Sequence, residues 1–449
     1  WSPHTLKKYH GWLRRQHGDI GKLNALWRTK FTGFEDIPLP GKSRQDDCSP
    51  AEWCDRITFH SSRVSSFFEC VRNEIRRHMP QAVIHLKGQD NSSLGPRPSA
   101  VSDGIDREML TPLSSLQGVD TRPLPVADPR MTAENYDDSI YSFHWLGQSF
   151  LYDYLTSLAP SQPVVDFEYH AFSINPIRIP DMKQSHPRAS LWMAHLHGLI
   201  GNVAWYWHQR YGPHPFPHKY FPMWLYGSIS TQPRIASEYF QTMLRLNIFA
   251  KEIEALAGVA DRPVRLFVSK PSYIRNEAHI AALHRAYEGS CFHGLRVGFV
   301  TEKTLTDRGV PKDCRVIIIP EAAYVSESAL KVLSQAGSKG VQLIRYGALK
   351  PTYNEYGLPH ASSSAAFLND VPAIDNAAAP ELSPKIGKVL SPVTASLPLR
   401  VSVVEGRGAF GVMQRHAKVN GEKIVLLINV SDKPLKVQLH AKEGRTVTG

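Results

Sequence analysis

A short apolar segment that ends in an acidic residue constrains the fold of this chain more than any other feature. Pro163–His170 reads Pro-Val-Val-Asp-Phe-Glu-Tyr-His and is bounded on its far side by the turn residues Asn175-Pro176. An apolar run of this length between turn residues predicts a strand that is covered on both faces. A helical pattern over Ala189–Ile200 follows, and then a second predicted strand, Asn202–Arg210. The order strand, helix, strand predicts a parallel β/α unit.

Chemically useful side chains gather at the carboxyl ends of these two strands. Glu168 lies at the end of the first strand, and Trp205 and Trp207 lie in the second. In a (β/α)8 barrel the carboxyl ends of the strands form the active site. An acid on one strand beside an aromatic platform on the next therefore indicates carbohydrate cleavage. The structural alternative is a carboxylate that pairs with one of the many arginines.

Size and composition are typical of a folded globular protein. A chain of 449 residues is long enough for two or three domains. Its hydrophobic content of 42% and charged content of 21% are ordinary for such proteins. No apolar run reaches the roughly 18 residues of a membrane span, so we predict no membrane partner. The five cysteines are scattered without CxxC spacing and decide neither the compartment nor a metal site.

The chain carries a formal net charge of +11, which raises the question of a nucleic-acid partner. The basic clusters Lys7-Lys8, Arg14-Arg15 and Arg76-Arg77 lie on helical patterns beside apolar positions. Solvated helix faces explain them better than a nucleic-acid surface, so we predict no nucleic-acid partner. An anionic polysaccharide would also suit a basic surface.

Pattern and composition divide the chain into four regions. Residues 1–260 hold about four β/α units, which predicts half of an eightfold barrel of the TIM type. Residues 261–350 alternate short β-rich runs with helical patterns, which predicts a small doubly wound, flavodoxin-like α/β domain without a phosphate-binding glycine loop. Residues 351–396 are rich in Ala, Ser and Pro and predict a linker. Residues 397–449 predict a small all-β domain with Asn420-Gly421 as a hairpin turn. The predicted fold class is therefore α/β with an added β domain.

The first residues predict a helix that begins at once. Ser2 can cap that helix, and Pro3 suits its first position. Neither an initiating Met nor a signal-type segment comes before it. We therefore expect the sequence to be a fragment, with a further portion of the protein in front of it.

The opening block carries a specific motif that consists of Tyr9, Trp12-Leu13, Gly18-Asp19-Ile20 and Leu23-Asn24-Ala25-Leu26-Trp27. This motif, together with the order of the regions, resembles the glycoside hydrolase family 42 β-galactosidases. The Glu168 strand, the helix before Trp205 and the segment Cys314–Gly347 resemble the same family. The resemblance implies a retaining hydrolase with two carboxyl groups about 5–5.5 Å apart. It also implies a glutamine-amidotransferase-like middle domain that forms a trimer contact, and hence a possible homo-oligomer.

The resemblance also implies roles for individual residues. Glu168 matches the nucleophile, and Asp120 matches an acid that binds sugar hydroxyls. Trp205 and Trp207 match the floor of the sugar subsite, where an indole packs on the pyranose ring. His208 departs from the usual pattern of the family, which leaves the substrate preference open. Further residues are candidates for sugar binding because they lie at a strand end or in a rim loop. For His85, the alternative is that it only supports the site. These further substrate-binding candidates are His85, His170, His208 and Arg210.

The proton donor is the main departure from the family. Its acid/base is a glutamate preceded by asparagine on the fourth barrel strand, upstream of the opening block, and the resemblance implies that this residue is missing here. Asn354-Glu355 copies the motif but lies far beyond Glu168 in the chain. Asn276-Glu277 suits a helix cap. We expect neither pair to be catalytic.

Twenty histidines do not amount to a metal site. His195 and His197 would diverge on a helix, and prolines separate His214 from His218 in a way that forbids a helix there. We therefore predict neither a metal nor a cofactor.

Three functional hypotheses remain from the sequence. The first is a retaining hydrolase of β-galactosidic bonds in oligosaccharides or algal-type polysaccharides. The second is an agarase-like barrel hydrolase, and the third is a non-catalytic carbohydrate-binding protein. The compartment is undecided, with the bacterial cytoplasm or periplasm expected.

Overall fold

The computed structural model describes most of the chain. The described residues are 2–38, 48–89, 104–123, 140–172, 182–205, 207, 229–258, 261–275, 277–361, 365–397, 399–405 and 410–441.

Three helices precede the first strand. Each begins at a side chain that accepts a backbone N–H bond, namely Ser2, Asp19 and Ser49. The first helix ends at Gly18, whose φ of 74° is costly for other residues. The predicted cap at Ser2 is confirmed. The helices are α1 (Pro3–His17), α2 (Ile20–Trp27) and α3 (Pro50–His78).

A four-stranded parallel sheet follows, with its strands in sequential order. Such a sheet requires crossover helices, and these cover one of its faces. The Glu168 strand was predicted with nearly its observed bounds. The second predicted strand begins earlier than expected and ends before the tryptophans. The elements are β1 (His85–Gln89), α4 (Arg107–Leu110), β2 (Leu116–Asp120), α5 (Leu146–Leu158), β3 (Val164–Tyr169), α6 (His186–Leu196) and β4 (Leu199–Ala204).

The edge strand β4 of this sheet leaves apolar side chains in solvent. Within the described residues, β1 and β4 each pair on one side only. Ile200 and Val203 on β4 are 63% and 53% exposed. The helices α7 (Pro233–Ile248) and α8 (Ala250–Ala257) complete this region, and Leu244 and Ile248 on α7 are exposed as well.

The next region is a five-stranded parallel sheet with the order β6-β5-β7-β8-β9. Its first three strands along the chain are buried over their whole length, as the apolar runs predict. The elements are β5 (Val264–Val268), α9 (Lys270–Tyr273), α10 (Glu277–Ser290), β6 (Val297–Thr301), α11 (Glu302–Arg308), β7 (Val316–Pro320), α12 (Glu327–Ser338), β8 (Gln342–Tyr346) and β9 (Ala373–Ile374).

The segment 351–396 differs from the predicted linker. Its short strand β9 pairs with β8, and it contains the helix α13 (Ala379–Thr394). Leu382, Ile386 and Leu390 on that helix are buried in the main core. The helix contains two prolines and follows an Ala- and Ser-rich segment, so the sequence pattern did not predict it. The segment is therefore folded against the α/β sheet, while the division into domains stays a prediction.

The last region is antiparallel, as predicted. The strands β11 (Val412–Val419) and β12 (Glu422–Asn429) form a hairpin, and β10 (Leu399–Glu405) pairs with β13 (Lys436–Ala441). Asn420 and Gly421 have φ of 52° and 89°, so both turn residues adopt the positive φ that a two-residue hairpin requires.

A buried polar network joins all three regions. Asp153 on α5 accepts hydrogen bonds from His197 Nδ1 at 2.7 Å and from the Tyr287 hydroxyl at 2.6 Å. Arg262 Nη2 lies 3.2 Å from the other carboxylate oxygen. Arg415 on β11 donates to His197 Nε2 at 3.1 Å. One carboxylate thereby ties the four-stranded sheet, the five-stranded sheet and the β region together.

No helix among the described residues has the length and apolar character needed to cross a bilayer.

Candidate active site

The carboxyl ends of β1, β2 and β3 bring two carboxylates and a cation together. Glu168 lies at the end of β3 with its side chain 16% exposed, and it pairs with the ammonium of Lys87 on β1. Lys87 Nζ also lies 3.5 Å from Asp120 Oδ2 at the end of β2. His170 Nε2 is 3.6 Å from Glu168 Oε1. Lys87, Asp120, Glu168 and His170 therefore lie together at one edge of the sheet.

Asp120 is buried and surrounded by donors. His170 Nε2 lies 3.1 Å from its Oδ1, and Arg122 Nε lies 3.8 Å from the same oxygen. Burial alone would raise the pKa of this carboxyl, but the His170 bond and the charges of Arg122 and Lys87 outweigh it and hold the pKa below its usual value. Asp120 is consequently ionised at neutral pH and suited to accept hydroxyl hydrogen bonds.

His170 is the neutral member of this group. Burial lowers its pKa, and the neighbouring Asp120 carboxylate only partly opposes that effect. A neutral imidazole that donates from Nε2 to Asp120 leaves Nδ1 as an acceptor. Nδ1 is buried and has no hydrogen-bond partner among the described residues.

One of the two predicted tryptophans reaches this group. The backbone N–H of Trp205, just after β4, donates to the Tyr169 carbonyl at 3.0 Å. Its half-buried indole lies 5.9 Å from the His170 ring, centroid to centroid. Trp207 is 68% exposed. The predicted residues His208 and Arg210 lie outside the described residues.

His85 has a different environment from the other predicted site residues. Its ring stacks on Phe167 with centroids 3.8 Å apart and planes 7° from parallel. The stack reaches across β2 at Gly118, where a Cβ would come within 2.9 Å of His85 Cδ2. The structure therefore places His85 against Phe167, and its role in sugar binding stays a prediction.

Of the two Asn-Glu pairs, the structure describes Asn354-Glu355 in full. The Asn354 side chain accepts bonds from the N–H groups of Tyr356 and Leu358 and so closes a turn. Arg275 holds the carbonyl of Glu355 at 2.7 Å. The pair has a structural role in a turn. Asn276 lies outside the described residues.

Sequence reasoning missed Lys87, Arg122 and Asp166. Arg122 follows the end of β2, so the strand-end rule that selected Glu168 could have selected it, whereas Lys87 lies in the middle of β1, where that rule does not apply. Asp166 lies inside a strand, where only its charge within a buried apolar run was a signal. Burial raises its pKa to about 7, against the opposing hydrogen bonds from Thr121 and Tyr152.

The same cluster has the composition of a cation site. Asp120, Glu168 and His170 each offer one ligand atom, and these atoms lie within 4.8 Å of one another. The Lys87 ammonium already pairs with both carboxylates. Since that cation supplies the compensating charge, the cluster does not require a metal for its electrostatic balance.

Comparison with known proteins connects this geometry to a family. A family model described as beta-galactosidase, of glycoside hydrolase family 42, matches the part of the chain that holds the opening block. Residues 1–94 match family 42. The resemblance seen in the opening block is thereby confirmed. A sequence comparison with curated proteins gives no match.

Solved structures of family 42 share the fold. An apo exo-carrageenase of this family from Bacteroides ovatus matches with a TM-score of 0.82 and 24% identity, over 99% of this chain and 59% of that one. The β-galactosidase of the psychrophilic Marinomonas ef1 matches with a TM-score of 0.66 and 15% identity, over 93% and 72%. Gan42B, a family 42 β-galactosidase from G. stearothermophilus, matches with a TM-score of 0.69 and 14% identity, over 97% of this chain and 76% of that one.

These likenesses establish the fold. The α/β class is confirmed, with part of a TIM-type barrel followed by a doubly wound sheet and antiparallel strands. The chain spans 59% of the length of the exo-carrageenase that it matches.

Proposed function

We propose that this chain provides the nucleophile of a retaining glycoside hydrolase that cleaves β-galactosidic bonds. The observation that carries the proposal is the position of Glu168 at the end of a parallel strand, beside Asp120, His170 and Trp205. The family 42 match and the shared fold support the reaction class. The retaining mechanism and the residue roles rest on the site geometry and on the resemblance.

In this proposal each side chain has a distinct task. A Glu168 oxygen attacks the anomeric carbon and displaces the leaving oxygen, which forms a covalent glycosyl ester. Asp120, ionised, accepts hydrogen bonds from sugar hydroxyls, and His170 offers its free Nδ1 to another. The Trp205 indole packs on the C–H face of the sugar.

The leaving oxygen needs a proton that Asp120 is poorly suited to give, because its pKa is lowered. We assign the proton donor to none of the described residues. Water then hydrolyses the ester, and the same acid/base group would activate that water.

A panel of substrates tests the proposal. The protein is incubated with a nitrophenyl β-galactoside, carrageenan oligosaccharides and agarose oligosaccharides, and product is quantified. Turnover of the aryl galactoside supports a β-galactosidase. Carrageenan is the second candidate, because the exo-carrageenase has a higher TM-score than the β-galactosidases named above. Turnover of agarose oligosaccharides alone would favour the agarase-like alternative, and galactoside binding without any turnover would favour a non-catalytic protein.

Trp205 is expected to contribute to sugar binding. Replacing it with Leu removes the aromatic face, so galactose affinity should fall by about 1 kcal/mol, or roughly fivefold. Titration calorimetry measures the change. Trp192→Leu is the control, because that indole packs near Phe249 in the helix layer. Equal galactose affinities for Trp205→Leu and the unchanged protein would show that Trp205 does not contribute to sugar binding.

A further inference from the structure

Glu168 lies within an irregular stretch of β3. In the pairing of β3 with β4, Asp166 is opposite Asn202 and Tyr169 is opposite Ala204. Three steps along β3 thus match two steps along β4. An opposite shift lies between Val164 and Val165, where one step along β3 matches two along β4. We call the register shift between Asp166 and Tyr169, which includes Glu168, the bulge of β3.

The bulge changes where the Glu168 side chain points. In a regular strand, residues two apart share a face, so Glu168 would face the same side as Asp166. Asp166 faces the helix layer, where it contacts Tyr152 on α5. Glu168 instead contacts Lys87 and His170 at the strand ends. An extra residue in a strand re-aims side chains in this way.

Asp166 is bonded to both sides of the bulge. Its Oδ1 accepts the backbone N–H of Glu168 at 3.0 Å. Its Oδ2 accepts the N–H of Thr121 at 3.1 Å, the Thr121 hydroxyl at 2.6 Å and the Tyr152 hydroxyl at 2.9 Å. The side chain is fully buried. The carboxylate therefore fixes the backbone of Glu168 to the residue that follows Asp120 and to the helix α5.

We propose that Asp166 is a positioning residue whose carboxylate holds the β-bulge that aims Glu168 into the sugar pocket. This inference rests on the proposed role of Glu168 as the nucleophile. Asp166 does not touch the reacting atoms, and it acts through the backbone N–H of Glu168.

Only the ionised side chain, which predominates above its pKa of about 7, offers acceptors to all four donors around it, so the experiment below is run at pH 8. Asparagine has one acceptor oxygen, and its NH2 group would face N–H and O–H donors. Asp166→Asn therefore leaves either the Glu168 N–H or the Thr121 and Tyr152 donors without an acceptor. The change is nearly isosteric, so its main effect is on the bulge.

The test follows formation of the covalent glycosyl ester. A dinitrophenyl 2-fluoro-β-galactoside reacts when a Glu168 oxygen bonds to the anomeric carbon and the C–O bond to dinitrophenolate breaks. The phenolate leaves with the electron pair and needs no proton, so the rate reports on the nucleophile alone. The fluorine slows hydrolysis, and the labelled protein is counted by intact mass. Galactose affinity is measured in parallel.

For Asp166→Asn we expect the labelling rate to fall by about 100-fold, since misplacement of a reacting group by about 1 Å has an effect of this size. Galactose affinity should change little. Gln117→Met is the matched control, because Gln117 is a buried polar residue of β2 that bonds the Leu155 carbonyl on α5 and does not contact the bulge. Its labelling rate should equal that of the unchanged protein.

If Asp166→Asn does not fold, Thr121→Val combined with Tyr152→Phe removes both hydroxyl donors to Oδ2, and it should also slow labelling. An unchanged labelling rate in the folded variant overturns the inference about Asp166. Absence of labelling in the unchanged protein, or labelling at another residue, overturns the proposed function instead. A rate that falls only in proportion to lost galactose affinity also contradicts a positioning role.

Discussion

Glu168→Gln should lower turnover of an activated aryl β-galactoside by more than about 10³-fold, because an amide cannot take over the role of the attacking carboxylate. The size of the side chain is preserved, so galactose binding should change far less than turnover. Steady-state kinetics with a dinitrophenyl β-galactoside measures the loss. This leaving group needs no proton, so the result depends on the nucleophile rather than on the acid/base.

Glu35→Gln provides the matched control for this change. Glu35 pairs with Arg14, and its side chain is 68% exposed. The same chemical substitution at that position should leave turnover unchanged. Full turnover in Glu168→Gln would show that Glu168 is not the nucleophile and that its ion pair with Lys87 has a structural role.

Asp153→Ala should destabilise the protein by about 3–5 kcal/mol, because it removes one partner from a buried charged network. The substitution leaves the Arg262 guanidinium and the Tyr287 hydroxyl without their acceptor. His197 also loses its carboxylate partner. Urea denaturation measures the change in the free energy of unfolding.

Asp261→Ala is the control for the stability experiment. Asp261 pairs with Arg296 at 3.1 Å, but its side chain is 71% exposed. Exposed pairs contribute at most about 1 kcal/mol. A loss in Asp153→Ala no larger than that of Asp261→Ala would show that the network does not hold the three regions together.

Asp153 also gives the protein a defined response to acid. Burial would raise its pKa, but the positive charge of Arg262 and the hydrogen bond from His197 outweigh burial and lower it. Because the folded pKa lies below the unfolded value of about 3.9, this carboxylate adds stability above the unfolded pKa and loses it as pH falls through the folded pKa. We expect Asp153→Asn to be less stable at neutral pH and to lose less stability below about pH 4. Unfolding free energies from pH 7 to pH 3 measure this difference, and parallel curves for the two proteins would contradict it.

The sequence pattern was sufficient to predict the elements whose signals are local. The apolar run before Glu168 predicted β3, and Asn420-Gly421 predicted the hairpin turn, since φ above zero is demanded at both positions. The rule that parallel strands end at one edge predicted that Glu168 would lie at the rim of the sheet. Each of these predictions depends on a few adjacent residues.

Features that depend on distant partners could not be predicted. The helix α13 forms because Leu382, Ile386 and Leu390 find an apolar surface on the α/β region, and its prolines conceal that preference. The bulge at Glu168 depends on pairing with β4 and on the Thr121 and Tyr152 donors. The placement of His85 depends on Gly118 in the neighbouring strand. None of these contacts leaves a periodic pattern in the sequence.

Peptide mapping of the protein after reaction with a dinitrophenyl 2-fluoro-β-galactoside is the most direct test of the central claim. The account predicts that one fluorogalactosyl group attaches to the peptide that contains Glu168, and that Glu168→Gln prevents the attachment. Attachment to Asp120 or to a residue outside this strand edge, with Glu168 unmodified, would contradict it.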